Sequence, residues 1–160
     1  MRRKVYSESM KLPRAASLVL VCVLVVAGVA FVAPYIERNP RITPTRSIRV
    51  QGTFVRVAVA DTESLREKGL SGVASLSANE GMLFVFEKDG LYSFWMKDMN
   101  FPLDIVWLAA DGKVVAVAED RSPASYPESF TPTSPARYAL ELPAGWVKAH
   151  DIGIGDAVEF

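Results

Sequence analysis

Residues 15–33 run for nineteen positions without a charge, from Ala15 through Cys22 and Gly28 to Ala33. As a helix rising about 1.5 Å per residue, this run spans roughly 30 Å, the thickness of a bilayer's hydrocarbon core. The run therefore predicts a transmembrane helix acting as a signal anchor. Residues 1–14 carry Arg2, Arg3, Lys4, Lys11 and Arg14 against Glu8, a basic head expected on the cytoplasmic side. A cleaved signal peptide is the rival reading, because Gly28-Val29-Ala30 offers small residues for cleavage. The run is longer than the roughly 7–15 residues of a signal peptide's apolar segment, which favours a retained anchor. Both readings place the rest of the chain outside the cytoplasm.

The formal net charge of zero hides a division along the chain. Residues 50–160 hold nine Lys/Arg against sixteen Asp/Glu, so the part expected to fold is acidic. A basic surface is the first requirement of sequence-independent nucleic-acid binding, and this part lacks it. The single cysteine, Cys22, excludes an internal disulfide framework, and one histidine removes His-based metal clusters and most catalytic triads. No cofactor and no metal is expected. Met82, Met96 and Met99 invite a soft-metal reading, but packing against Phe84 and Trp95 accounts for them more simply.

Residues 34–47 contain three prolines and three arginines without apolar periodicity, the composition of a tether. From residue 48 to 160 the pattern is that of a β-rich domain. Ile48, Val50, Val55, Val57 and Val59 alternate as in a strand. Asp61-Thr-Glu-Ser-Leu-Arg-Glu-Lys-Gly69 has the cap, charge order and terminal glycine of a short helix. Asp89-Gly90 and Asp111-Gly112 fit hairpin turns between strands at 81–86 and 91–96, and at 103–108 and 114–118. Residues 121–135, with four prolines, predict a long loop. A strand at 137–142, a short helix at 144–150 and a closing strand at 153–160 follow. About seven short strands with one or two short helices predict a small, mostly antiparallel barrel or sandwich.

Several blocks, in order, carry a family resemblance: Arg66-Glu-Lys-Gly-Leu70, Glu80-Gly-Met-Leu-Phe-Val-Phe86, Phe94-Trp-Met-Lys97, Pro102-Leu-Asp-Ile105, Asp111-Gly112, Ala136-Arg-Tyr-Ala-Leu-Glu141 and Gly155-Asp156. Over residues 55–158 the chain resembles the bacterial and archaeal family known as domain of unknown function 192. The resemblance implies a small β-rich domain, often exported or membrane-anchored, with no established activity.

The densest chemical cluster is the stretch from Phe94 to Asp104. On an extended strand Trp95 and Lys97 share one face, so Trp95 can stack on a ligand while Lys97 holds an anionic group, with Asp104 nearby. Trp95, Lys97 and Asp104 are the candidate ligand-binding residues; the alternative is that Phe94, Met96 and Met99 fill the core and Lys97 pairs with Asp98, Asp104 or Glu141. For catalysis, Asp104 and Glu141 are the candidate carboxylate pair of a hydrolase acting on an envelope polymer. Binding ranks above catalysis. The expected function is a membrane-anchored ligand-binding or protein-interaction module of the cell envelope, whose partner is a glycan or an exported protein. The remaining reading is a scaffold without a small-molecule site. His150, at a helix end, is expected to cap rather than catalyse.

Overall fold

The computed structural model describes residues 41–160. The expected basic head, membrane helix and most of the tether lie outside them. Among the described residues, no helix is long and apolar enough to cross a membrane.

The elements are β1 (Arg46–Val50), β2 (Thr53–Ala60), α1 (Glu63–Lys68), β3 (Glu80–Gly90), β4 (Phe94–Trp95), β5 (Leu103–Leu108), β6 (Val114–Arg121), β7 (Ser129–Phe130), β8 (Ala136–Pro143), α2 (Trp146–Ala149) and β9 (Val158–Glu159). Seven strands form one curled sheet in the order β6-β5-β8-β3-β2-β1-β9, and β4 pairs with β7 as a separate two-stranded ribbon. The edges of the large sheet meet at one end. There Val114 N–H donates to Asp156 O at 2.8 Å, Gly155 N–H to Val114 O at 2.8 Å and Val158 N–H to Gly112 O at 2.9 Å. The result is a half-barrel with two short helices.

The sheet is not uniformly antiparallel, because β2 and β3 run parallel from Arg56↔Glu80 to Ala60↔Phe84. A parallel pair needs a crossover, and α1 with the turns after it supplies one. Thr62 caps α1 by accepting from Leu65 N–H at 3.3 Å, and Gly69 ends it with φ 49°. The alternation from Ile48 to Val59 covers two strands, because Gln51 and Gly52 both take positive φ, 45° and 77°, and turn the chain into a β1–β2 hairpin. Asp111-Gly112 turns β5 into β6 as expected, with Ala109 N–H donating to Lys113 O at 2.8 Å. Asp89-Gly90 does not make the expected hairpin: β3 continues through both residues, and β4 pairs with β7 instead.

Each face of the sheet carries its own core. Val55, Val57, Leu83, Val106, Leu108, Leu140 and Leu142 belong to one, joined by Trp146 and Val147 of α2. Met82, Phe84, Ile105, Trp107 and Ala139 belong to the other, covered by Leu70, Met96 and Phe130. Coverage on both faces explains why every residue of β5 is buried and why its sequence shows no alternation. Residues 121–135 are part of this cover: they include a 3-10 turn at Pro123–Ser125 and β7, and Phe130 is buried.

Candidate functional site

The face bearing Phe84 is incompletely covered, and a cleft of about 650 Å³ remains between α1, β3 and the segment that follows β4. Alternation along β3 brings Phe84 and Phe86 to this face, while Phe94 packs edge-on against Phe84 with ring centroids 4.8 Å apart. Tyr92 stacks on Phe86 at 3.5 Å. Arg66 pins α1 to this wall: its Nη1 donates to Asp61 O at 2.8 Å and Val85 O at 2.9 Å, and its guanidinium lies 5.5 Å from the Phe86 ring centroid.

The opposite wall is tied down by backbone acceptors. Ser71 Oγ donates to Lys97 O at 3.0 Å, Gly72 N–H to Asp98 O at 2.9 Å and Asn100 Nδ2 to Val73 O at 2.8 Å. Asp98 turns with φ 56°. Trp95 and Lys97 therefore stand on a fixed segment at the mouth of the cleft, both exposed, with Lys97 Nζ 5.9 Å from the Trp95 ring centroid. No carboxylate pairs with Lys97 among the described residues. Tyr126 meets Trp95 edge-on at 6.0 Å, so the proline-rich segment adjoins the mouth.

Glu141 of β8 lines the same cleft and is only 6% exposed. Its Oε2 is buried without a hydrogen-bond partner. Burial alone raises its pKa from 4.5 to about 8, because charging a carboxyl away from water is costly.

Asp104 is not part of this site. It is fully buried, its Oδ1 accepting from Asp120 N–H at 2.8 Å and its Oδ2 from Val147 N–H at 2.8 Å. The second bond stands in for a cap on α2, whose own N-cap residue, Gly145, has no side chain to supply one. Strand register separates the two acids. Asp104 lies opposite Leu142 and Glu141 opposite Ile105, so their side chains leave the sheet on opposite faces. The proposed carboxylate pair therefore shares no cleft, and Asp104 holds structure rather than ligand.

The remaining candidates are packing residues. Met82 and Met96 belong to the core beside Phe84. His150 stacks on Trp146 at 3.7 Å, with Nδ1 2.8 Å from Trp146 O, at the end of α2. Among the described residues no group of His, Cys, Asp and Glu is arranged to hold a metal. Of the residues singled out from the sequence, Trp95 and Lys97, expected to bind a ligand, and Glu141, expected as one of a catalytic carboxylate pair, line this cleft; the Phe84–Phe86 wall and Arg66 were not singled out. The available signal was Arg66 in the last turn of the predicted helix, followed by the alternating aromatics Phe84 and Phe86 of β3.

Comparison with known proteins agrees with this architecture. A structure from Sinorhizobium meliloti 1021, described as a candidate transcription regulator, superposes with a TM-score of 0.68 at 30% identity, covering 75% of this chain and 97% of that one. A protein of unknown function from Novosphingobium aromaticivorans DSM 12444 gives a TM-score of 0.68 at 26% identity, covering 74% and 94%. A UPF0127 protein of Thermococcus gammatolerans is 30% identical over 106 residues, and the aligned part spans 65% of each chain. Residues 46–160 match the family model DUF192, "Uncharacterized ACR", and the chain belongs to that uncharacterised family.

Proposed function

We propose that the domain is a ligand-binding module whose site is the cleft between α1 and the Trp95–Asp98 segment, displayed outside the cytoplasm by an anchor at residues 15–33. The observation that carries the reading is Glu141: a buried carboxyl with an unpartnered oxygen, lining an aromatic-walled cleft. A buried polar group without a partner costs stability, and a ligand that supplies the partner removes that cost. Trp95 offers an exposed ring for stacking, and Lys97, exposed and without an ion pair among the described residues, can meet an anionic group at the mouth. The cleft's volume suits a small molecule or the end of an envelope polymer.

A paired-carboxylate hydrolase finds no support here, because Asp104 and Glu141 leave opposite faces of the sheet. The regulator description of one structural relative draws no support from charge, since residues 50–160 carry seven more acids than bases.

The test is a thermal-shift screen of the full chain in detergent against envelope sugars, amino sugars and peptidoglycan fragments, repeated on Trp95→Ala and Glu141→Gln. A ligand at about a hundred times its Kd adds roughly 2.7 kcal/mol to stability. The expected result is a shift in the wild type that both variants lose; a shift retained by both moves the site elsewhere. A C-terminal topology reporter tests display, and a cytoplasmic signal would refute it.

A further inference from the structure

The cleft's lining states what its occupant carries at the buried end. Glu141 shares its sheet face with Met82, Phe84 and Ile105, its register partners and their neighbour on β3, none of which can hydrogen-bond strongly to a carboxyl. No cation among the described residues forms an ion pair with it. Of the chain's own cations at the cleft, Arg66 lies over Phe86 and Lys97 over Trp95, so two of its rings already face positive charge. A buried carboxyl within aromatic walls lacks one thing, a positive partner small enough to enter.

We propose that the cleft takes an organic ammonium group, seated against the Phe84 and Phe94 rings with its charge on Glu141. This rests on the cleft being the ligand site. Both halves of the recognition are then supplied by the chain: ring quadrupoles attract the cation, and the carboxylate neutralises it in a place where water screens little. The acidic excess of residues 50–160 raises the local concentration of such cations. A primary amine of an amino sugar and the side-chain amine of a peptide share this chemistry.

Binding is coupled to protons. Free Glu141 titrates near 8, so at pH 7 it is mostly protonated and an entering cation must displace the proton. The other charged or titratable groups of the cleft are Glu63, Arg66, Glu67 and Lys68 from α1 and Tyr92, Lys97 and Asp98 from the segments flanking β4. None of them is buried as Glu141 is. Glu141 is thus the group that sets the pH dependence between pH 6 and 8.

The experiment is an NMR titration of the full chain in detergent with butylammonium, butyrate and glucose, following the Trp95 indole resonance and the side-chain carboxyl carbon of Glu141. Butylammonium is expected to shift both, to lower the Glu141 midpoint by at least one pH unit, and to bind about tenfold tighter at pH 7 than at pH 6. Glu141→Gln, checked for an unchanged amide spectrum, is expected to abolish that pH dependence. Binding of glucosamine but not of lysine amide at pH 7 assigns the amine to a sugar, and the reverse assigns it to a peptide. Butyrate or glucose binding in the cleft without butylammonium would overturn the ammonium assignment and leave the cleft a ligand site. Butylammonium binding unaltered by Glu141→Gln would also overturn it. Silence from every probe overturns the assignment, while the cleft itself then stands or falls on the wider ligand screen.

Discussion

Asp104 and Glu141 are buried acids on neighbouring strands, one register step apart, and their surroundings differ completely. Asp104 has a backbone N–H on each oxygen and joins β5 to the end of β6 and to α2. Glu141 lines a cleft, and its Oε2 has no partner. The contrast separates two uses of a buried carboxyl group. Satisfied on all sides, a carboxylate fixes the positions of distant segments; left open, it costs stability in the free protein and favours whatever fills the gap.

The strongest challenge to this contrast is removal of the satisfied acid. Asp104→Ala leaves two backbone donors without partners, and at roughly 1–3 kcal/mol each the expected loss is about 3 kcal/mol. Asp104→Asn is expected to do nearly as badly, because its amide turns one donor to face another donor. Urea unfolding at constant slope measures both. A loss below about 1 kcal/mol for either would mean that Asp104 is not the tie it looks to be.

The pH dependence of the open acid gives the next largest effect. Because folding raises the Glu141 pKa from 4.5 to about 8, the folded state binds the extra proton between those values. Its stabilising contribution is complete below pH 4.5 and is lost as pH rises through about 8. Between pH 6 and pH 8 the wild type is expected to lose roughly 2 kcal/mol that Glu141→Gln does not lose. Parallel unfolding curves for the two proteins across this range would show that Glu141 is solvated or partnered.

The smallest effect is expected at the mouth of the cleft. Trp95 is 53% exposed and Lys97 has no ion-pair partner among the described residues, so Trp95→Ala and Lys97→Ala should each change stability by about 0.5 kcal/mol or less. A drop beyond about 2 kcal/mol in either variant would return that side chain to the core.

Much of the local structure is legible in the residues themselves. The α1 helix follows from Thr62, the order of its charges and Gly69, and the β5–β6 hairpin follows from Asp111-Gly112, where φ is 82° at Gly112 and a Cβ would lie 2.6 Å from Val158 O. Misreadings arise where pairing partners lie far away in the chain. Asp89-Gly90 is as good a turn signal as Asp111-Gly112. Gly90 nevertheless pairs with Ala136 of β8, and Arg137 holds Asp89 at 2.8 Å, so β3 runs on. Gln51-Gly52 is a weak signal, yet it turns because β1 and β2 pair on either side of it. The proline-rich segment 121–135 looks structureless alone and is ordered by β4, which supplies Phe94 and Trp95 as partners.

By itself, the sequence determines a mostly β domain at the C-terminal end of the chain, its short helices, and a cluster rich in aromatics and charge at Phe94 to Asp104. These depend on periodicity, capping and turn chemistry, which act over a few residues. Only the tertiary structure decides that β2 and β3 run parallel, that Asp104 leaves the cluster for the opposite face, and that Glu141 joins Trp95 and Lys97 in one cleft. A shift of one residue in the register between β5 and β8 would bring the two acids to the same face of the sheet. That register is set by the packing of two cores on one sheet, a property of the whole chain.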